Sequence, residues 1–231
     1  MIGIIGAMKE EVSELIREMK EAETSEEAGM KFCSGLLSGK AAVIVISGIG
    51  KVNAAACTQI LIDRFKPDCI INTGIAGALD PGLSIGDIVL SSDAVQHDVD
   101  VTHFGYKPGQ VPQMKVLAFP ADKKLIDTAK EAVSETEPDI GVMTGRVASG
   151  DCFVADTETK DRIRKAFGAA CCEMEGASIA QVSYINRIPF LIIRAMSDKA
   201  DGTSPLIYAA FEKNASSHFV KLMLAMVRKL D

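Results

Sequence analysis

Hydrophobic and polar positions along the chain fall into two kinds of block, short glycine-bounded apolar runs and longer stretches with helical spacing. IGIIGA (Ile2 to Ala7) is apolar throughout, which suits a strand buried on both faces. It feeds a helix in which Met8, Val12, Leu15, Ile16 and Met19 fall on one side. KFCSGLLSGKAAVIVISGIG reads as a hairpin turning near Ser38-Gly39, with AVIVIS as its core strand. NAAACTQILIDRF is helical, and Pro67-Asp68 ends that pattern before the strand CIINTG. IGDIVLSSDAVQHD is strand-like and opens into an irregular stretch from Val99 to Gln113, rich in Gly and Pro.

The second half continues in the same way. ADKKLIDTAKEAVSE predicts an amphipathic helix and GVMTGRVASGD a strand. DTETKDRIRKAF predicts a helix with Asp156 as N-cap and Glu158 in the first turn, where the helix dipole favours an acid. Strand ACCEME, helix GASIAQVSYINR, strand PFLIIRAMS and a long helix from about Pro205 complete the order. No linker, repeat or low-complexity tract interrupts it, so residues 1–231 read as one α/β domain around a central mixed sheet.

Composition narrows the class. Of the 231 residues 48% are hydrophobic and 24% charged, as in an ordinary globular protein with a sizeable core. The net charge of −6 argues against a nucleic-acid or membrane surface as partner. No apolar run approaches the roughly 18 residues that span a bilayer. MIGIIGAMKEEV has no basic region and turns acidic too early for a signal peptide. The six Cys are scattered, several inside apolar segments, and read as reduced thiols of a cytoplasmic protein. Cys171-Cys172 shows no metal-ligand spacing with a His, so neither a zinc site nor any other cofactor is expected.

Candidate chemistry collects at strand ends, where α/β sheets place their sites. Four of them carry polar or glycine-rich punctuation: GAMKEE, SGIGKVN, NTGIAGALD and RAMSDKAD. Each is also a plausible tight turn. None is a nucleotide fingerprint: Gly48-Ile49-Gly50 is followed by Asn53 where a third glycine belongs, and Gly39-Lys40 by Ala41. Glu11 lies near a helix start, a favourable place for any carboxylate. In CCEMEGAS, Glu173 and Glu175 would share one strand face and could accept from ribose hydroxyls. Alternatively, one faces solvent and the other caps the next helix. Asp198 alone reads as a helix cap, and Arg194 inside the strand FLIIRAM as the neutraliser of a nearby acid. Taken together, Glu11, Glu175 and Asp198 could converge in one cleft, as glycoside chemistry requires: one carboxyl protonates the leaving group and another directs water. His97, His103 and His218 have no nucleophile partner and read as structural.

IGIIGAMKEEV, SGIGKVNAA, INTGIAG, GDIVLSSDAVQHDVDVTHFGY, ASGDCF, CCEMEGASIA and RAMSDKAD, in this order, resemble the 5′-methylthioadenosine/S-adenosylhomocysteine nucleosidases of the purine nucleoside phosphorylase superfamily. The resemblance covers nearly the whole chain. It implies a three-layer α/β/α fold and a homodimer with a shared pocket for small adenine thionucleosides. By the same resemblance Asp198, held by Ser197, protonates adenine at N7, and Glu11, helped by Arg194, activates water. Met174 and Glu175 hold the ribose, with Glu173 beside them, while Phe153 stacks on adenine and the Val154 backbone reads its edge. Met8, Ile49 and Tyr208 line the sugar and thioether side. Val101, Phe104 and Pro112 close the alkylthio pocket from the partner subunit. Ile75 stands where the family commonly has Ser, which removes a hydroxyl near the expected water while leaving the backbone contacts of that turn.

Three rival readings follow. A nucleoside phosphorylase on the same fold would need cations to hold phosphate, against which Glu11 argues. A nucleoside sensor would bind without turnover. An aminofutalosine nucleosidase would keep the chemistry and change the substrate.

Overall fold

The computed structural model describes residues 1–200 and 219–230. β1 (Ile2–Gly6) lies between β4 (Lys40–Ile46) and β5 (Cys69–Ala78), parallel to both. Beyond β4 come β3 (Met30–Leu37) and β2 (Lys20–Glu27), each antiparallel to its neighbour. On the other side, β10 (Phe190–Asp198) runs parallel to β5 and antiparallel to β6 (Ile88–Gln96). β6 pairs with β8 (Val142–Ser149), β8 with β9 (Ala169–Glu173), and β9 with β5. Strands β5, β9, β8, β6 and β10 therefore close into a ring, from which β1, β4, β3 and β2 extend as an open sheet. A two-residue strand, β7 (Phe119–Pro120), hangs on β6.

The continuous apolar runs have a direct cause. Successive side chains on a strand point to opposite faces, and here both faces are covered. Ile4, Ile44, Ile71, Leu90 and Ile193 pack under α1 (Lys9–Glu18), α3 (Lys123–Thr136) and the helical residues 219–229. Their neighbours Ile5, Val43, Val45, Ile70, Val89 and Ile192 pack under α2 (Lys51–Phe65) and α5 (Gly176–Asn186). A smaller cluster forms under α4 (Thr157–Phe167), around Ile163, Phe167, Leu79 and Ala148. The result is a mixed sheet with helices on both sides, as the sequence implies.

Most expected elements are present. The hairpin turns at Ser38-Gly39, both with positive φ, and Asp156 caps α4 by accepting from the Thr159 N–H at 2.8 Å. One strand is added and two expectations need correcting. β2, KEAETSEE, is almost wholly exposed and polar, so no apolar pattern announces it. INTGIAG is not a turn after β5 but its second half, paired with β10 through Gly77. Glu173 and Glu175 do not share a strand face: Glu173 ends β9, and Glu175 is the N-cap of α5. The expected start of the last helix near Pro205 lies outside the described residues, as do Tyr208 and His218.

Candidate active site

The ring creates the site. β5 and β9 overlap by only two pairs, Gly77 with Cys172 and Ala78 with Cys171, and run in opposite directions. The carboxyl ends of β1, β5 and β10 on one side thus meet those of β8 and β9 on the other. A cavity of about 140 Å³ opens there, lined by Met8, Glu11, Ile49, Ile75, Phe153, Val154, Glu173, Met174, Glu175, Ser197 and Asp198, with Ala7, Ala76, Gly77, Cys152 and Cys172 between them. Arg194 lies beneath it, 2% exposed. Val101, Phe104 and Pro112 do not border the cavity of their own chain, and Phe104 is 77% exposed.

Glu11 is the third residue of α1, and its side chain turns back over the helix start. One oxygen accepts from the N–H groups of Ala7 at 2.7 Å and Met8 at 3.0 Å, the other from Ile75 N–H at 3.3 Å. Ile75 thus keeps its backbone contact to the carboxylate while its side chain is apolar. Burial pushes the Glu11 pKa up, against the pull of the Arg194 charge and these three N–H groups. Gly74 makes this approach possible: a β-carbon there would run into the Glu11 carboxylate and stand 3.1 Å from Nη1 of Arg194.

Asp198 ends β10, 3% exposed. One oxygen accepts from the Ser197 hydroxyl at 2.7 Å, the other from Ala200 N–H at 2.7 Å. Ser197 also donates to the Ala76 carbonyl at 3.3 Å, which ties the acid to β5.

Arg194 hydrogen-bonds one acid, Glu173, and acts on Glu11 through its charge. Its Nη2 donates to Glu173 at 2.5 Å and to the Asn72 side-chain oxygen at 2.5 Å, and Asn72 in turn donates to the Ile5 carbonyl at 2.9 Å. Glu11 receives its charge but no hydrogen bond from it. Glu173 accepts on its other oxygen from Ser149 and also caps α5, accepting from Gly176 N–H at 2.7 Å and Glu175 N–H at 3.2 Å. Of the two alternatives for CCEMEGAS, helix capping thus falls to Glu173, and neither acid faces solvent. Glu175 accepts from Gly50 N–H at 2.7 Å, and Gly50 holds a φ of 97° that a residue with a side chain rarely adopts. Burial, with the nearby Glu173 charge, pushes Glu175 up to about 7.

Sequence reasoning passes over Gly74, Ser149 and Gly50 as parts of the site. The one available signal is glycine inside the strand NTGIAG, which marks close approach of another group. His97 is buried against Gly150, with Cys152 Sγ 4.0 Å from its Nε2, and His103 packs edge-on against Phe104.

Residues 1–228 match the model of the phosphorylase superfamily. A 5′-methylthioadenosine/S-adenosylhomocysteine nucleosidase of Staphylococcus aureus is 44% identical over 231 residues, 100% of both chains. The crystal structure of such a nucleosidase from Neisseria meningitidis, in complex with methylthio-immucillin-A, superposes with a TM-score of 0.95 at 41% identity, over 99% of each chain. The futalosine hydrolase of Helicobacter pylori superposes with a TM-score of 0.93 at 32% identity, over 99% of this chain and 97% of that one. The chain belongs to the phosphorylase superfamily and, within it, to the family of 5′-methylthioadenosine/S-adenosylhomocysteine nucleosidases.

Proposed function

We propose that the protein hydrolyses the N-glycosidic bond of 5′-methylthioadenosine and S-adenosylhomocysteine, releasing adenine and the thioribose. The observation that carries this is the charge balance of the cleft. Four carboxyls (Glu11, Glu173, Glu175 and Asp198) line the cleft, and the Nη2 of the buried Arg194 is already bonded to Glu173 and Asn72. Phosphate would meet repulsion here, whereas water, a ribose and a cationic transition state are all favoured.

In the proposed mechanism Asp198 gives its proton to adenine N7 as the C1′–N9 bond breaks, so adenine leaves neutral. Ser197 and the Ala200 N–H hold that carboxyl toward the base. Glu11 takes a proton from the water that adds to C1′. Its raised pKa makes it a better base than an exposed carboxylate. Glu175 accepts from the ribose hydroxyls, with Met174 beside it. Phe153, 59% exposed at the mouth, offers a face for adenine, and the backbone of the buried Val154 reads its edge. Met8, Ile49 and Ile75 provide the apolar wall on the sugar side.

The exposed Phe104, with Val101 and Pro112 on the same loop, suits a homodimer in which each loop covers the partner's alkylthio pocket. Buried free thiols at Cys57, Cys171 and Cys172 suit a cytoplasmic setting. Among the described residues no helix is long and apolar enough to cross a membrane.

Chromatography of products with and without phosphate tests the reading. Adenine and free thioribose are expected in phosphate-free buffer; release only with phosphate, with a sugar 1-phosphate formed, would make the protein a phosphorylase. The likeness to a futalosine hydrolase favours one alternative, in which the chemistry is kept and the substrate is 6-amino-6-deoxyfutalosine, and the same assay ranks the three.

A further inference from the structure

The cleft holds one more acid than the proposed chemistry uses. Asp198 accounts for the leaving group, Glu11 for the water and Glu175 for the ribose, which leaves Glu173. Its side chain is 4% exposed and already meets four donors: Ser149 Oγ, Arg194 Nη2 at 2.5 Å, Gly176 N–H at 2.7 Å and Glu175 N–H at 3.2 Å. Three of these donors meet Oε2 and Ser149 alone meets Oε1, so both oxygens are held before any substrate hydroxyl arrives.

We infer that Glu173 is a positioning residue, locked by the fully buried Ser149, which holds Arg194 under the cleft and fixes the backbone on both sides of Glu175 so that the Glu175 carboxyl points at the ribose. What Glu175 touches rests on the nucleosidase reading; the positioning itself rests on the contacts. Glu173 bonds the N–H of Glu175 and the N–H that follows it, so the start of α5 cannot rotate without breaking both. Arg194 is the second tie. With Glu173 neutral, its guanidinium would be left with Glu11 and Glu175 as the nearest acids and would draw on both. Glu173 also acts on Glu175 through its charge, adding to burial in raising the Glu175 pKa while Arg194 and the Gly50 N–H pull it down and Glu11 pushes it up. Asp198 on β10 and the thiols of Cys171 and Cys172 on β9 are the other titratable groups around the pair.

The test is a carboxyl-carbon NMR titration of Glu175 in the ligand-free protein, its signal identified by loss in Glu175→Gln. Glu173→Gln removes a like charge and frees Arg194, so the midpoint, about 7 in the parent protein, is expected to fall by a unit or more. The acid limb of kcat/KM for methylthioadenosine hydrolysis should move to lower pH with it. kcat should drop on the order of 100-fold, the usual effect of misplacing a reacting group, with KM changing far less. An unmoved Glu175 midpoint overturns the inference, as does a raised KM at preserved kcat, which would make Glu173 a ribose ligand. The titration needs no turnover, so a protein that releases no adenine would sink the nucleosidase reading and still decide this one. If Glu173→Gln does not fold, Ser149→Ala keeps the charge and removes one anchor. It should lower kcat about tenfold at unchanged KM, and parental kcat in that variant overturns the positioning role.

Discussion

Asp198 illustrates how little a single residue's chemistry says without its neighbours. Its two oxygens are held by a hydroxyl and a backbone N–H, the same contacts a helix-capping aspartate makes. Only its place, beside Glu11 and Glu175 in one cavity, makes it a candidate acid. Asp198→Asn keeps the shape and removes the proton donor. Turnover is expected to fall on the order of 10²–10⁴-fold, the usual worth of general acid catalysis, while a substrate analogue still binds within a few-fold. Near-parental adenine release would exclude Asp198 as the acid. At this scale the carboxylates were legible, because an acid at the end of an apolar strand stands out. Ser149 and the Gly50 N–H were not, because a serine in a strand and a backbone group in a turn carry no signal of what they face.

At the scale of elements, the chain announces what is apolar and conceals what is not. β1, β4 and β10 read plainly because both their faces are buried. β2 carries no apolar signal because it is an exposed edge rich in glutamate, with nothing to bury and every reason to repel another strand. The second half of β5 reads as a turn because of its glycines, yet those glycines are what let a strand pass between charged groups. At Gly74 the neighbours are Glu11 and Arg194, and at Gly77 an oxygen of Asp198 would lie 3.3 Å from an added β-carbon. Gly74→Ala is expected to displace the pinned Glu11 carboxylate. It should cost about 1–3 kcal/mol of stability, as overpacking does, and lower kcat by more than tenfold. Denaturant unfolding and steady-state kinetics measured together check this, and parental values in both would show that Glu11 yields at no cost.

At the scale of the molecule, the fold class followed from the alternation of strands and helices, whereas the closed ring did not. No local pattern says that β10 pairs with both β5 and β6; that is a matter of registers between segments about a hundred residues apart. The loop around Phe104 belongs to this scale too, since its exposed ring is not among the described residues that line the active-site cavity of its own chain. Phe104→Ala should raise KM for methylthioadenosine on the order of tenfold, the worth of burying an aromatic ring, with kcat less affected. With the proposed homodimer, dilution of the parent protein until the subunits separate should have the same effect. Unchanged affinity in both experiments would take the loop out of the pocket.

The ring also sets an order of events. β10 is the last of its strands in the chain, and with it come Arg194, Ser197 and Asp198. A chain still being synthesised can pair β1 with β4 and β5 early, but it lacks the proposed proton donor until residues 190–198 emerge and dock between strands made much earlier. Such long-range pairings are slow to form, because the loop entropy is lost before the contacts reward it. A chain that lacks residues 190–198 therefore has neither the closed ring nor the proposed acid. Regain of adenine release during refolding is a clock for closure of the ring.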